Sequence, residues 1–146
     1  MRRARCRSTL PTGLSADHAV NFNAFPYNNG TTYSLIVTHS VHKWEDEQNL
    51  TAASNMYSSK IKSLSNILNT ATFAIGCSAQ LCGGGIIGTV ACVYEQPQLK
   101  DGEAMYEEGQ PCQTSSDCTA RTPAICNTTD VLCVVENTTT SAPIAT

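Results

Sequence analysis

The chain has 146 residues, the length of one ordinary domain and short for two. Ile, Leu, Val and Phe fill only 28 positions while Ser, Thr and Asn fill 41, so the apolar core is modest. A net charge of −3 excludes a highly charged solvating chain, and eight cysteines point instead to a small core stapled by disulfides. No run of about 18 apolar residues occurs, so no membrane span is expected.

Four arginines (Arg2, Arg3, Arg5 and Arg7) crowd the first seven residues, and the remainder holds five basic and twelve acidic residues. A nucleic-acid footprint needs a basic face on a folded domain, so nucleic acid is not an expected partner. The even set of cysteines could close as disulfides in 105 ways. Zinc use would call for paired ligands two to four residues apart, and no such cysteine pair exists. Four Asn-x-Thr acceptors, at Asn29, Asn49, Asn127 and Asn137, agree with an oxidising, secretory compartment. The start of the sequence carries no apolar signal stretch, and a secreted chain without one suggests a missing beginning, through a misassigned start codon or because the chain is a fragment.

Residues 8–33 read as loop, with Pro11, Gly13, Pro26 and the Asn28-Asn29-Gly30 turn signal. Residues 34–48 read as a helix with Ser34 as N-cap, Val37, Val41, Trp44 and Gln48 on one face, and Trp44 as the core anchor. A second helix is expected over 56–69, with Ile61, Leu64 and Leu68 in one stripe. The period then changes: 72–76 and 86–94 read as two strands of a hairpin. Its wide connection would hold Cys77, Cys82 and the glycine run 83–85, and a Cys82–Cys92 bridge across it would be geometrically easy. The glycine run lacks the Lys-Ser/Thr ending of a phosphate-binding loop and reads as a turn. Residues 109–135 hold four cysteines and few large apolar residues, so they need their own two bridges. The stretch 136–146 is a Thr-rich tail or linker with O-glycan capacity.

The hairpin carries a family resemblance. Thr72-Phe-Ala-Ile-Gly-Cys77, then Cys82, then Val90-Ala-Cys92-Val-Tyr94-Glu-Gln-Pro97, resembles the end of a CAP domain, the domain of cysteine-rich secretory, antigen 5 and pathogenesis-related 1 proteins. Gly109-Gln-Pro-Cys112 with Asp117-Cys118, Cys126 and Leu132-Cys133 resembles the cysteine-rich extension of nematode activation-associated secreted, or venom-allergen-like, proteins. Val41-His-Lys-Trp44-Glu-Asp-Glu47 is similar to the family's tryptophan-glutamate helix. The resemblance implies an α+β fold, a three-layer α-β-α sandwich lacking its opening helix. It implies a partial CAP domain over 1–108, the extension over 109–135 and the tail over 136–146, with apolar surface left exposed where the opening helix would lie. It also implies bridges Cys6–Cys77, Cys82–Cys92, Cys112–Cys126 and Cys118–Cys133.

Many CAP domains place two His and two Glu around a cleft that can hold a divalent metal. By resemblance the first Glu falls at Phe22, the second at Glu47 and the second His at Ser63, while the chain starts after the first His. Glu47 is the only surviving position, and one carboxylate cannot hold zinc, so no metal and no cofactor are expected. His18, His39 and His42 lie off the family's ligand positions; His39 and His42 share a helix face and read as exposed side chains. No Gly-x-Ser-x-Gly elbow occurs, the even cysteine count leaves no free thiol, and Glu45, Asp46 and Glu47 point in different directions on a helix. The resemblance implies a secreted, non-enzymatic CAP protein, a parasite excretory or secretory protein that binds a host or extracellular partner, and modulation of host immunity is what the family implies. The alternative is an extracellular sterol or fatty-acid carrier, with Phe22, Phe25, Pro26 and Tyr27 of the stretch 21–33 as its apolar loop.

Overall fold

The structure, a computed structural model, describes residues 17–28, 30–50, 54–82, 86–119 and 122–135. The chain divides into two compact units, with the boundary between Glu107 and Glu108.

The first unit is built on a three-stranded antiparallel sheet of order β1-β3-β2, with β1 Ala19–Pro26, β2 Ile75–Cys82 and β3 Ile87–Tyr94. Two helices, α1 Tyr33–Glu45 and α2 Lys62–Leu68, belong to it. Register decides which face they cover. Ala19, Tyr94 and Ile75 lie in one row, Asn21, Cys92 and Cys77 in the next, then Asn23, Val90 and Ala79, then Phe25, Gly88 and Leu81. This face meets both helices. Ala19, Ile36, Trp44, Val90, Cys92 and Tyr94 form the buried cluster, with Phe25, Val41 and Leu81 packed against it. The mixed α+β composition is as expected. The described residues make two layers, helices on one face of a sheet, and a third layer is not among them. A second cluster, Tyr57, Ile61 and Met105, lies beside α2 with Leu64, Leu99 and Tyr106. The segments at 55–57 and 103–105 clasp it through Tyr57 N–H to the Glu103 carbonyl and Met105 N–H to the Asn55 carbonyl, both 2.7 Å.

Several sequence expectations are corrected here. Residues 19–26 are a strand rather than loop. Val20-Asn21-Phe22-Asn23 does alternate, but the sense is inverted, with the amides Asn21 and Asn23 at the inward positions that face the helices. Helix α1 is capped by Thr32, whose hydroxyl accepts from Leu35 N–H, rather than by Ser34. Its inward stripe is Ile36, Ser40 and Trp44; Trp44 anchors the core as expected, but Val37 is exposed. In the second helical stretch only Lys62–Leu68 is α-helix, preceded by a single 3₁₀ turn at Ser59–Ile61, and Leu68 is exposed. Ser65 and Asn66 occupy the buried side instead.

The hairpin connection is narrower than the sequence suggested, because β2 runs through both Cys77 and Cys82. This overturns two pairings. Cys77 lies directly opposite Cys92 and is bridged to it, with Cα atoms 4.1 Å apart. Cys82 lies opposite Ile87, on the other face of the pleat from Cys92, so Cys82–Cys92 and Cys6–Cys77 do not form. Cys82 is itself disulfide-bonded, and Cys6 lies outside the described residues.

The second unit has a 3₁₀ turn at Ser115–Asp117 and a hairpin of β4 Ala124–Asn127 and β5 Leu132–Val135. Cys112–Cys126 and Cys118–Cys133 hold it, in the expected order. Thr114 and Asp117 form a reciprocal cap: Asp117 Oδ2 accepts from the N–H groups of Gln113 and Thr114 at 2.9 Å each. The bond from the Thr114 backbone, then that from Gln113, holds the Asp117 carboxyl below its ordinary range.

Gly88 sets the approach of α1 to the sheet. A Cβ there would stand 2.8 Å from Ile36 Cγ2 and 3.3 Å from Phe25 Cε2, and Ile36 is fully buried. Gly88→Ala is therefore expected to destabilise the first unit by about 1–3 kcal/mol through overpacking, read as a lowered denaturation midpoint. A neutral or stabilising result would show that α1 can move off the sheet.

Candidate functional site

The family cleft position that survives in the sequence, Glu47, lies in the 3₁₀ turn Asp46–Leu50 that follows α1. Its carboxylate is turned towards the start of α2. Oε2 accepts from Ser63 N–H at 2.7 Å and Leu64 N–H at 3.0 Å. Helix α2 needs this. Its own N-cap residue is Ile61, which has no side-chain acceptor, so its first N–H groups would otherwise lack partners. A carboxylate is also the favourable charge at a helix N-terminus. Glu47 is half-buried, and with Asp101 it adds to the effect of burial in pushing the Tyr57 phenol up.

The peptide group that gives Glu47 its Leu64 N–H is held at its other end, the Ser63 carbonyl, by the sheet. Asn21 Nδ2 donates to the Ser63 carbonyl at 2.9 Å and to the Tyr94 hydroxyl at 3.0 Å, and Asn21 Oδ1 accepts from Asn66 Nδ2 at 2.8 Å. Asn21 is 1% exposed and Asn66 is also buried. Burial pushes the Tyr94 phenol up to about 12, against a smaller lowering by Asn21. A second polar set lies beside it. Asn23 Nδ2 donates to Ser40 Oγ, and Lys43 Nζ donates to Asn23 Oδ1 at 3.0 Å.

Glu47 and Ser63, two of the family positions, are thus brought together, but through the Ser63 backbone. Phe22 is not among them. Pleat alternation puts it on the opposite face of β1 from Asn21, and the residue facing the α2 cap is Asn21. Sequence reading missed Asn21, Asn23, Asn66 and Ser40, because polar residues inside strands and helices give no periodic signal. His18 Nδ1 lies 3.0 Å from the Glu95 carbonyl, and exposed His39 packs on Phe25 with ring centroids 4.8 Å apart. His42 is exposed.

These donors do not fit a divalent metal. The one carboxylate is engaged by two N–H groups, and the neighbouring Asn21 turns its amide nitrogen, not its oxygen, towards Ser63. Among the described residues, the sulfurs of Cys112, Cys118 and Cys133 lie within 4.8 Å of one another. All three are in disulfides and offer no thiolate. No described helix is long and apolar enough to cross a membrane. Asn49 is exposed and Asn127 half-buried, while Asn29 and Asn137 lie outside the described residues.

Beside the polar network is an open pocket of 230 Å³. Its lining mixes Asn66, Asn69 and Tyr94 with Ile67, Phe73 and Ile75. The lipid-loop candidates are placed differently from expectation: Phe25 and Tyr27 pack on the core, and Phe22 is part of a strand.

A helix-covered antiparallel sheet with a bridged central hairpin, followed by a small two-disulfide unit, has the fold of a partial CAP domain. The resemblance carried by residues 72–77 and 90–97 is borne out. No established family profile matches the chain. Over 69 residues it is 32% identical to the Ancylostoma secreted protein of Ancylostoma caninum, a match covering 47% of this chain and 15% of that protein. Among solved structures it is similar to Na-ASP-1, with a TM-score of 0.69 and 23% identity over 86% of this chain and 32% of that one. Hookworm platelet inhibitor gives 0.61 and 23%, over 85% of this chain and 63% of that one. Manganese-bound Ac-ASP-7 gives 0.58 and 24%, over 82% and 56%. The chain thus spans about a third or less of the length of Na-ASP-1 and the Ancylostoma protein.

Glu47→Ala is expected to cost about 1–2 kcal/mol of stability by uncapping α2, with Glu47→Gln costing less because one acceptor remains; denaturant titration of both variants tests this. Tyr94 gives a pH signature. Its folded-state pKa of about 12 exceeds the ordinary 10.0, so between these values the unfolded chain loses a proton that the folded chain keeps. Stability should fall as pH rises from 10 towards 12. Tyr94→Phe should flatten part of that fall, and an unchanged slope would place the phenol in contact with solvent.

Proposed function

We propose that this is a secreted, non-enzymatic CAP protein that acts by binding a host or extracellular protein. The observation that carries the reading is the use of Glu47 as a helix cap. The one cleft carboxylate holds two backbone N–H groups, and the side chains around it are amides and a high-pKa phenol. Such a set offers no carboxylate pair for acid–base work. Secretion is supported by the disulfides, the four acceptor sequons and the match to a protein named as secreted. A protein partner is supported by exposed Ile67, Phe73 and Ile75, which gather around one pocket, and by the likeness to a protein named as a platelet inhibitor. The carrier alternative draws on the same pocket. At 230 Å³ it lies below the roughly 300–1,000 Å³ of drug-sized ligand sites, and its lining mixes polar with apolar side chains, which favours a protein surface over a lipid cavity.

The test uses the secreted, disulfide-bonded chain immobilised against a panel of purified extracellular receptor domains. Saturable binding that persists in Glu47→Gln and in a metal chelator is expected. Saturable uptake of labelled sterol without protein binding would favour the carrier, and metal-dependent hydrolysis lost in Glu47→Gln would overturn the non-enzymatic reading.

A further inference from the structure

The β4–β5 hairpin has two unlike faces. Register pairs Cys126 with Cys133, Ile125 with Val134 and Asn127 with Leu132. Both cysteines face their bridges, so Ile125, Asn127, Leu132 and Val134 share the opposite face. Its three apolar members are exposed, Leu132 at 63%. The turn adds exposed Val131, whose φ is 52°. That left-handed conformation is a rare one for a β-branched side chain, and glycine or asparagine would fill the position without strain. A unit with so few large apolar residues thus presents four of them outward, around one asparagine.

That asparagine opens the sequon Asn127-Thr128-Thr129. We propose that Asn127 carries an N-linked glycan whose first N-acetylglucosamine lies on this apolar face and covers it. The proposal rests on the secreted reading above. The geometry suits the modification. Asn127 Oδ1 accepts from Thr129 N–H at 3.0 Å, and Nδ2 donates one hydrogen to Asp130 Oδ2 at 2.8 Å, which fixes the plane of the amide. Nδ2 has a second hydrogen, and its replacement by the sugar leaves both bonds in place. The N–C bond forms to the anomeric carbon of a lipid-pyrophosphate-linked N-acetylglucosamine. The anomeric C–O bond breaks, and the lipid pyrophosphate leaves with its electron pair and takes up the proton that Nδ2 gives up. Leu132 is the direct cross-strand partner of Asn127, so the first sugar starts beside it, with its C–H groups available to the apolar face. Asn49 is a contrast: it lies in the 3₁₀ turn Asp46–Leu50, on no sheet face.

The full chain is expressed behind a secretion leader in a eukaryotic host. Glycopeptide mass spectrometry reads occupancy, and fluorescence of an apolar-surface dye reads exposure. Asn127 is expected to be occupied. Trimming to a single N-acetylglucosamine should leave dye binding low, whereas Asn127→Gln and Thr129→Ala should both raise it. Thr129→Ala keeps the asparagine, so a rise in both variants belongs to the sugar. Adding Leu132→Ser to Asn127→Gln should abolish the gain. A glycan at Asn49 with none at Asn127 would overturn this inference and leave secretion standing. So would an occupied Asn127 whose removal leaves dye binding unchanged. A chain retained in the cell without glycan at any sequon would count against the secreted reading itself.

Discussion

The first unit depends on how the peptide group at Ser63 is held. The Ser63–Leu64 peptide group has its N–H taken by Glu47, in the 3₁₀ turn that follows α1, and its carbonyl by Asn21, which belongs to β1. One residue of α2 is thereby tied to the other helix and to the sheet. The helix is only seven residues long and has no cap of its own, too short to persist from propensity. Its order comes from this clamp and from the packing of Ile61, with Asn66 bonded back to Asn21. Buried amides that satisfy one another are strongly placed, because a missing partner would leave a desolvated group unpaired.

The same arrangement separates this chain's chemistry from that implied by the family's metal cleft. A carboxylate there could serve as ligand or base. Here it is committed to the backbone, and the side chains of the adjoining network, Asn21, Asn66 and Tyr94, are amides and a phenol. Apolar side chains are exposed at Ile75 and around the pocket beside Tyr94. The hairpin of the second unit exposes others around Asn127. Both are consequences of a thin core: with few large apolar residues, disulfides carry what packing cannot, and apolar side chains remain available outside.

Much of this was legible in the sequence. Trp44 as core anchor and a hairpin between 72 and 94 rest on side chains whose identity states their role, while the order of the two bridges in the extension was only what the CAP resemblance implied. The strand at 19–26 was not, because Asn21 and Asn23 take inward positions that apolar residues usually fill. Cys77–Cys92 was missed for a related reason. The bridge follows from strand register, and register was misread when Cys77 and Cys82 were assigned to a loop. The cap of α2 was invisible because its acceptor comes from 16 residues away.

The claim that Glu47 and Asn21 work as one clamp is tested most directly by a double-mutant cycle in denaturant, using Glu47→Ala, Asn21→Ala and the pair. The account predicts that the two effects are non-additive, with a coupling of about 0.5–3 kcal/mol, since either change alone already loosens the Ser63 peptide. Strict additivity would contradict it, showing that the two side chains stabilise separate parts of the fold.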